Sequence, residues 1–106
     1  MNLDEIKTTF FVECSDLMSE LESGLFSISP DDPDIEIVNS VFRAVHSIKG
    51  GAGSFGLDEL VHFSHVFENA LDFIRTDISQ VTQDRLDLLL RASDLLADVI
   101  VASRDG

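Results

Sequence analysis

A chain of 106 residues, 44% apolar and with eight Phe, holds enough material for one packed core, which excludes a disordered segment and a multidomain enzyme with an elaborate cleft. Twenty acidic against seven basic side chains give a formal charge of −13, which repels a nucleic-acid backbone and an anionic membrane surface and sets both aside as partners. A single cysteine, Cys14, with no leader and no apolar run of roughly 18 residues, points to a reducing cytoplasm and to no membrane insertion.

Leu3, Ile6, Phe10, Cys14, Leu17, Leu21 and Ile28 recur at helical spacing and predict a long amphipathic helix over about 3–28, starting from a natural N-terminus at Met1. Ser29-Pro-Asp-Asp-Pro33 breaks the period. Asp32 as cap and Pro33 in the first turn predict a second helix over about 33–52. Its apolar stripe is Ile35, Val38, Phe42, Val45, Ile48 and Ala52. Leu57, Leu60, Ser64, Phe67, Leu71 and Ile74 predict a third helix over about 57–75, with Asp58 and Glu59 complementing its positive first turn. After a turn, Thr82 caps a fourth helix over about 82–103 whose stripe is Leu86, Leu89 or Leu90, Ser93, Leu96 and Ile100. Four helices, short connections and no strand-like alternation specify an all-α, antiparallel up-down four-helix bundle, one domain over 1–106. Phe10, Phe11, Phe63, Phe67 and Phe73 read as core rings, one or two of them left exposed to a partner helix.

The charge is unevenly distributed. The 21 residues from Ile37 to Leu57 contain no Asp or Glu but do contain Arg43, His46 and Lys49, a neutral-to-basic island in an acidic chain. His46 lies about 100° round the helix from Val45, so it stands at the edge of the buried stripe with Arg43, Lys49 and Gly50 as one-turn neighbours. Gly50, Gly51 and Gly53 each cost a helix roughly 1 kcal/mol relative to alanine. They therefore either end the helix or clear space, and Gly50 and Gly53 without side chains let a partner protein approach His46.

A nucleophilic imidazole needs one ring nitrogen free and the other held as a donor, best by a carboxylate. If the second and third helices are antiparallel across the glycine-rich turn, His46 faces residues around 62–68, where His62, His65 and Glu68 share a face. Glu68 is the natural carboxylate for His46. Lys49 either neutralises a phosphoryl oxygen or pairs with Glu68. His62-x-x-His65-x-x-Glu68 also suggests a metal site, but the three residues drift round the helix, no second His/Glu pair exists and no cysteine is near, so no metal is assigned.

His46-Ser-Ile-Lys-Gly-Gly-Ala-Gly-Ser-Phe-Gly56 resembles the signature of histidine phosphotransfer (Hpt) domains, and Phe42-Arg-Ala-Val-His46, His65-Val-Phe-Glu-Asn-Ala-Leu-Asp72 and the opening Met1 to Phe11 resemble the CheA subgroup of chemotaxis kinases. The resemblance spans nearly the whole chain. It implies that His46 is the phosphoacceptor, that Glu68 holds its Nδ1 and leaves Nε2 for the phosphoryl group, and that Lys49 and His65 complete the network. Arg43, Gly50, Gly51 and Gly53 are then the docking rim. It implies a kinase catalytic domain as donor and CheY/CheB-like response-regulator receiver domains as acceptors, within the N-terminal part of a longer histidine kinase. No cofactor belongs to the domain itself. ATP and Mg²⁺ are bound by the partner domains, and the chain has no Gly-x-x-x-x-Gly-Lys-Ser/Thr loop or kinase-type nucleotide signature. The alternative is a non-catalytic helical adapter whose apolar groove binds a partner helix.

Overall fold

Asn2 opens the chain's first helix by accepting the Glu5 N–H on its side-chain oxygen at 2.8 Å, and Asp4 and Glu5 place negative charge at the positive helix end. The structure, a computed structural model, describes residues 2–106, so the start at Met1 lies outside the described residues. Helix α1 runs Leu3–Ser27, α2 Ile35–Ser54, α3 Asp58–Thr76 and α4 Gln83–Asp105, with a single 3-10 turn at Ile78–Gln80. α2 packs against α1 and α3, and α4 against α3 and α1, closing an antiparallel four-helix bundle 47 Å long and 20 by 19 Å across. No strand occurs among the described residues.

The second helix starts two residues later than the sequence suggests. Asp32 donates its N–H to the Ser29 carbonyl at 3.3 Å and belongs to the reversing turn, so the capping role passes to Asp34, which accepts the Glu36 N–H at 2.9 Å. At its far end α2 runs straight through Gly50, Gly51 and Gly53 to Ser54. A Schellman motif then stops it: Leu57 N–H bonds the Ala52 carbonyl at 3.0 Å, Gly56 N–H bonds the Gly53 carbonyl at 3.3 Å, and Gly56 takes the left-handed φ of 65°. Only Gly56, which follows the helix, has the stop-signal role. Thr82 caps α4 through the Arg85 N–H.

The core is one cluster built from the inward stripes of all four helices. In α1 it begins at Phe10 and continues through Cys14, Met18, Leu21 and Leu25 to Ile28 just past the helix end, a three-four repeat that the expected stripe matches at Phe10, Cys14, Leu21 and Ile28 but misses at Met18, where it took Leu17, and at Leu25. Leu3 and Ile6 are exposed because they precede that buried stretch, and Leu17 is only half-buried because Met18 takes the inward position. Ile35, at the first position of α2, is likewise exposed, and Phe42 is half-buried on the flank of that helix. In α3 and α4 the buried set follows the expected stripes from Leu60 onward, with Leu89 rather than Leu90 inside, while Leu57 stands before α3 as its cap residue and is only half-buried. Cys14 is fully buried, and burial, followed by the charge of Glu13, pushes its thiol up to about 11.

Candidate functional site

α2 and α3 are antiparallel neighbours across a turn of three residues, Phe55 to Leu57, so residues equally far from the turn meet. His46 and Glu68, at similar though not equal distances from the turn, meet in this way. His46 Nδ1 lies 2.8 Å from Glu68 Oε2, and Lys49, one turn further along α2, donates from Nζ to Glu68 Oε1 at 2.8 Å. The two oxygens of one carboxylate thus hold two side chains of the facing helix.

The environments of the partners differ. The His46 side chain is 64% exposed, whereas that of Glu68 is 12% exposed between the helices. Burial alone pushes the Glu68 carboxyl up, but hydrogen bonds from Lys49 and His46, with the positive charge they bring, outweigh it and hold the carboxyl below its ordinary value. Glu68 is therefore ionised near neutral pH and is an acceptor only. An acceptor at Oε2 requires Nδ1 to carry the ring proton of a neutral His46, which leaves Nε2 with a free lone pair on the exposed side. Of the two roles open to Lys49 from sequence, the geometry shows the pairing with Glu68.

Two contacts beside the site were missed in the sequence. The Phe42 ring, one turn before His46, lies nearly parallel to the imidazole, with centroids 6.3 Å apart and planes 9° from parallel. The Arg75 guanidinium sits 3.8 Å above the Phe42 ring and donates to Asp72 at 2.7 Å, which ties this side of the site to the end of α3. The spacing from Phe42 to His46 is itself a signal for such a pair. Nothing local announces Arg75.

His65 and Arg43 are exposed, and neither makes a hydrogen bond to His46, Lys49 or Glu68 among the described residues. His65 therefore stands outside the bonded network that the family resemblance implied, although it lies only about 60° round α3 from Glu68. Gly50 and Gly53 are exposed, and a Cβ on either meets open space. Gly51 differs from them. A Cβ there collides with the ring of Phe10, so Gly51 serves packing against α1, and the open rim consists of Gly50 and Gly53. Among the described residues no three His, Cys, Asp or Glu groups converge to hold a metal ion, and no helix is long and apolar enough to cross a membrane.

The chain is 56% identical over 106 residues to the chemotaxis protein CheA of Rhizobium meliloti (strain 1021), covering all of this chain and 14% of that relative. It is 50% identical over 109 residues to the chemotaxis protein CheA of Cereibacter sphaeroides, covering all of this chain and 16% of the relative, and 32% identical over 106 residues to that of Bacillus subtilis (strain 168), with the same coverage. The chain thus spans about one seventh of the length of these relatives. The family model for the Hpt domain matches residues 5–102, a stretch that contains the whole His46, Lys49 and Glu68 constellation, and the chain belongs to the Hpt domain family.

Proposed function

We propose that this domain is a phosphocarrier in chemotaxis-type two-component signalling, with His46 as the residue that accepts and donates the phosphoryl group. The observation that carries the reading is the exposed imidazole whose Nδ1 is held by the ionised Glu68, in a domain of the Hpt family. The Nε2 lone pair attacks the γ-phosphorus of ATP held in a kinase catalytic domain. The N–P bond forms as the bond to the β,γ-bridging oxygen breaks and ADP leaves with that electron pair. The ring acquires positive charge in the step, and Glu68 stabilises it through Nδ1–H. In the second step a receiver aspartate oxygen attacks the same phosphorus, and the N–P electrons return to Nε2. Lys49 keeps the Glu68 carboxylate ionised and in place throughout.

CheY/CheB-like receiver domains are the acceptors in this reading, and the domain forms part of a longer histidine kinase. Mg²⁺ and the nucleotide belong to the partner domains. The exposure of His46 and the open rim at Gly50 and Gly53 support transfer between proteins, since an acceptor must bring its own active site up to Nε2.

Incubating the domain with a kinase catalytic fragment and labelled ATP tests the proposal. The label enters the native domain, is lost in acid and survives in base, and does not enter His46→Gln. Unchanged labelling of His46→Gln overturns the assignment. A native domain that takes no label at all supports the adapter reading instead.

A further inference from the structure

The seam between α3 and α4 is open to solvent and apolar along its length. Two adjoining hollows of about 230 and 100 Å³ share Ala70 and Leu89; the first extends past Phe73 and Leu88, the second past Phe63 and Val66. Phe73 is 52% exposed and Leu88 60%, and Val66 and Leu95 are exposed as well. Large apolar side chains exposed singly are ordinary. Aligned on both banks of one groove they form the kind of contiguous patch that marks an interaction site.

The dimensions suit a helix. From Phe63 to Phe73 the groove follows α3 for roughly 15 Å at 1.5 Å per residue, about three helical turns. On the opposite bank Leu88 lines the first hollow, and the exposed Leu95, seven residues on and so within about 20° of it round α4, extends that bank two turns further, the spacing at which a docked amphipathic helix presents successive anchors. The charges flanking the groove are asymmetric. The outer flank of α4 carries Asp84, Asp87, Asp94 and Asp98 against one base, Arg91, whereas His62, Asn69 and Thr76 line the α3 flank beside Val66. The other arginine near the seam, Arg85, is engaged: it covers the Phe73 ring at 5.3 Å and donates to the Gln80 carbonyl at 3.0 Å.

We propose that the α3–α4 seam is a docking groove for a basic amphipathic helix of a partner protein, its apolar face seated between Val66 and Phe73 on one bank and Leu88 and Leu95 on the other. Its lysines or arginines face the aspartates of α4. A second copy of this chain is the wrong occupant, because it brings another domain of formal charge −13 with the same acidic flank. An anionic membrane is opposed by the same charge. The groove lies on the side of α3 away from Glu68, since Val66 and Ala70 each lie about 200° round the helix from it. Occupation leaves His46 open, and the inference stands independently of the phosphocarrier reading.

The probe is a synthetic amphipathic helix with leucines at i, i+3, i+4 and i+7 and lysines along one flank, titrated into the isotope-labelled domain, with affinity read by fluorescence anisotropy. Amide signals of Val66, Ala70, Phe73, Leu88 and Leu95 move. The lysine peptide binds about tenfold or more tightly than the same peptide with glutamates on that flank. Leu88→Ser, an exposed position that leaves the bundle folded, weakens binding by about tenfold. Replacing Asp87 and Asp94 together by Asn lowers affinity and flattens its dependence on salt. The proposal is overturned if the moving signals lie on the α1–α4 side or spread over the whole acidic surface, if Leu88→Ser binds like the native domain, or if the glutamate peptide binds equally well. It is also overturned if neither peptide binds, or if sedimentation shows a second copy occupying the seam.

Discussion

Glu68 does two jobs with one carboxylate, and its variants separate them. Glu68→Ala removes the acceptor at Nδ1 and frees His46 to take either tautomer, so phosphorylation slows by about tenfold or more while the exposed imidazole costs the bundle little. Normal labelling kinetics in that variant would remove Glu68 from the mechanism. The depressed carboxyl also gives stability a direction with pH. Its contribution is fully present above the ordinary value of 4.5 and is lost as pH falls through the lower value of the folded protein. The gap in melting temperature between the native domain and Glu68→Gln is therefore constant at neutral pH and shrinks below pH 4.5, and a gap that persists in acid would show that Gln and Glu differ there for another reason. The pairing of His46 with Glu68 was legible in the sequence because a short turn between antiparallel helices fixes which residues face each other. The Phe42 and Arg75 stack was not, because rotamers at half-buried positions answer to neighbours far along the chain, and neither was the absence of a bond from the exposed His65 to the network.

At the scale of the element, α2 tolerates three glycines in its last two turns because the helix is held by packing on both sides rather than by propensity. The glycines are chemically identical, but their roles differ. Gly51→Ala must displace the packed Phe10 ring and destabilises the bundle by about 1–3 kcal/mol. Gly53→Ala, which meets open space in a helix, stabilises it by up to about 1 kcal/mol. Gly56→Ala has space too but forces a side chain into the left-handed region, at a cost of about 1–2 kcal/mol. Thermal unfolding of the three variants gives the order, and equal shifts would refute the division of roles. Their spacing in the sequence shows only that something is unusual. The opposing Phe10 ring, forty residues earlier, decides which glycine is structural. The same holds at the start of α2, where Asp32 before Pro33 reads as the cap and the Ser29 turn that engages it passes that role to Asp34.

For the whole molecule, hydrophobic periodicity was enough to specify four helices and their antiparallel order, since each stripe can be buried only against the others. It failed where an element outruns the core, as at Leu3, Ile6 and Ile35. The slender bundle carries His46 and Glu68 on the α2–α3 side and an apolar groove on the α3–α4 side, so the two surfaces can be disabled separately. Gly50→Trp fills the open rim one turn from His46 without touching the core, and it reduces transfer from the phosphorylated domain to a receiver several-fold while leaving the melting temperature within a few degrees. Undiminished transfer in that variant would mean that the receiver approaches from another side. The sealed Cys14 has a practical consequence. With its sulfur fully buried and its thiol pushed up to about 11, it is nearly inert to alkylating dyes and spin labels at neutral pH. A second cysteine placed at Gly53 or Leu95 then reacts alone, so either face can carry a reporter without removal of the native residue, and occupancy of one surface can be watched from the other.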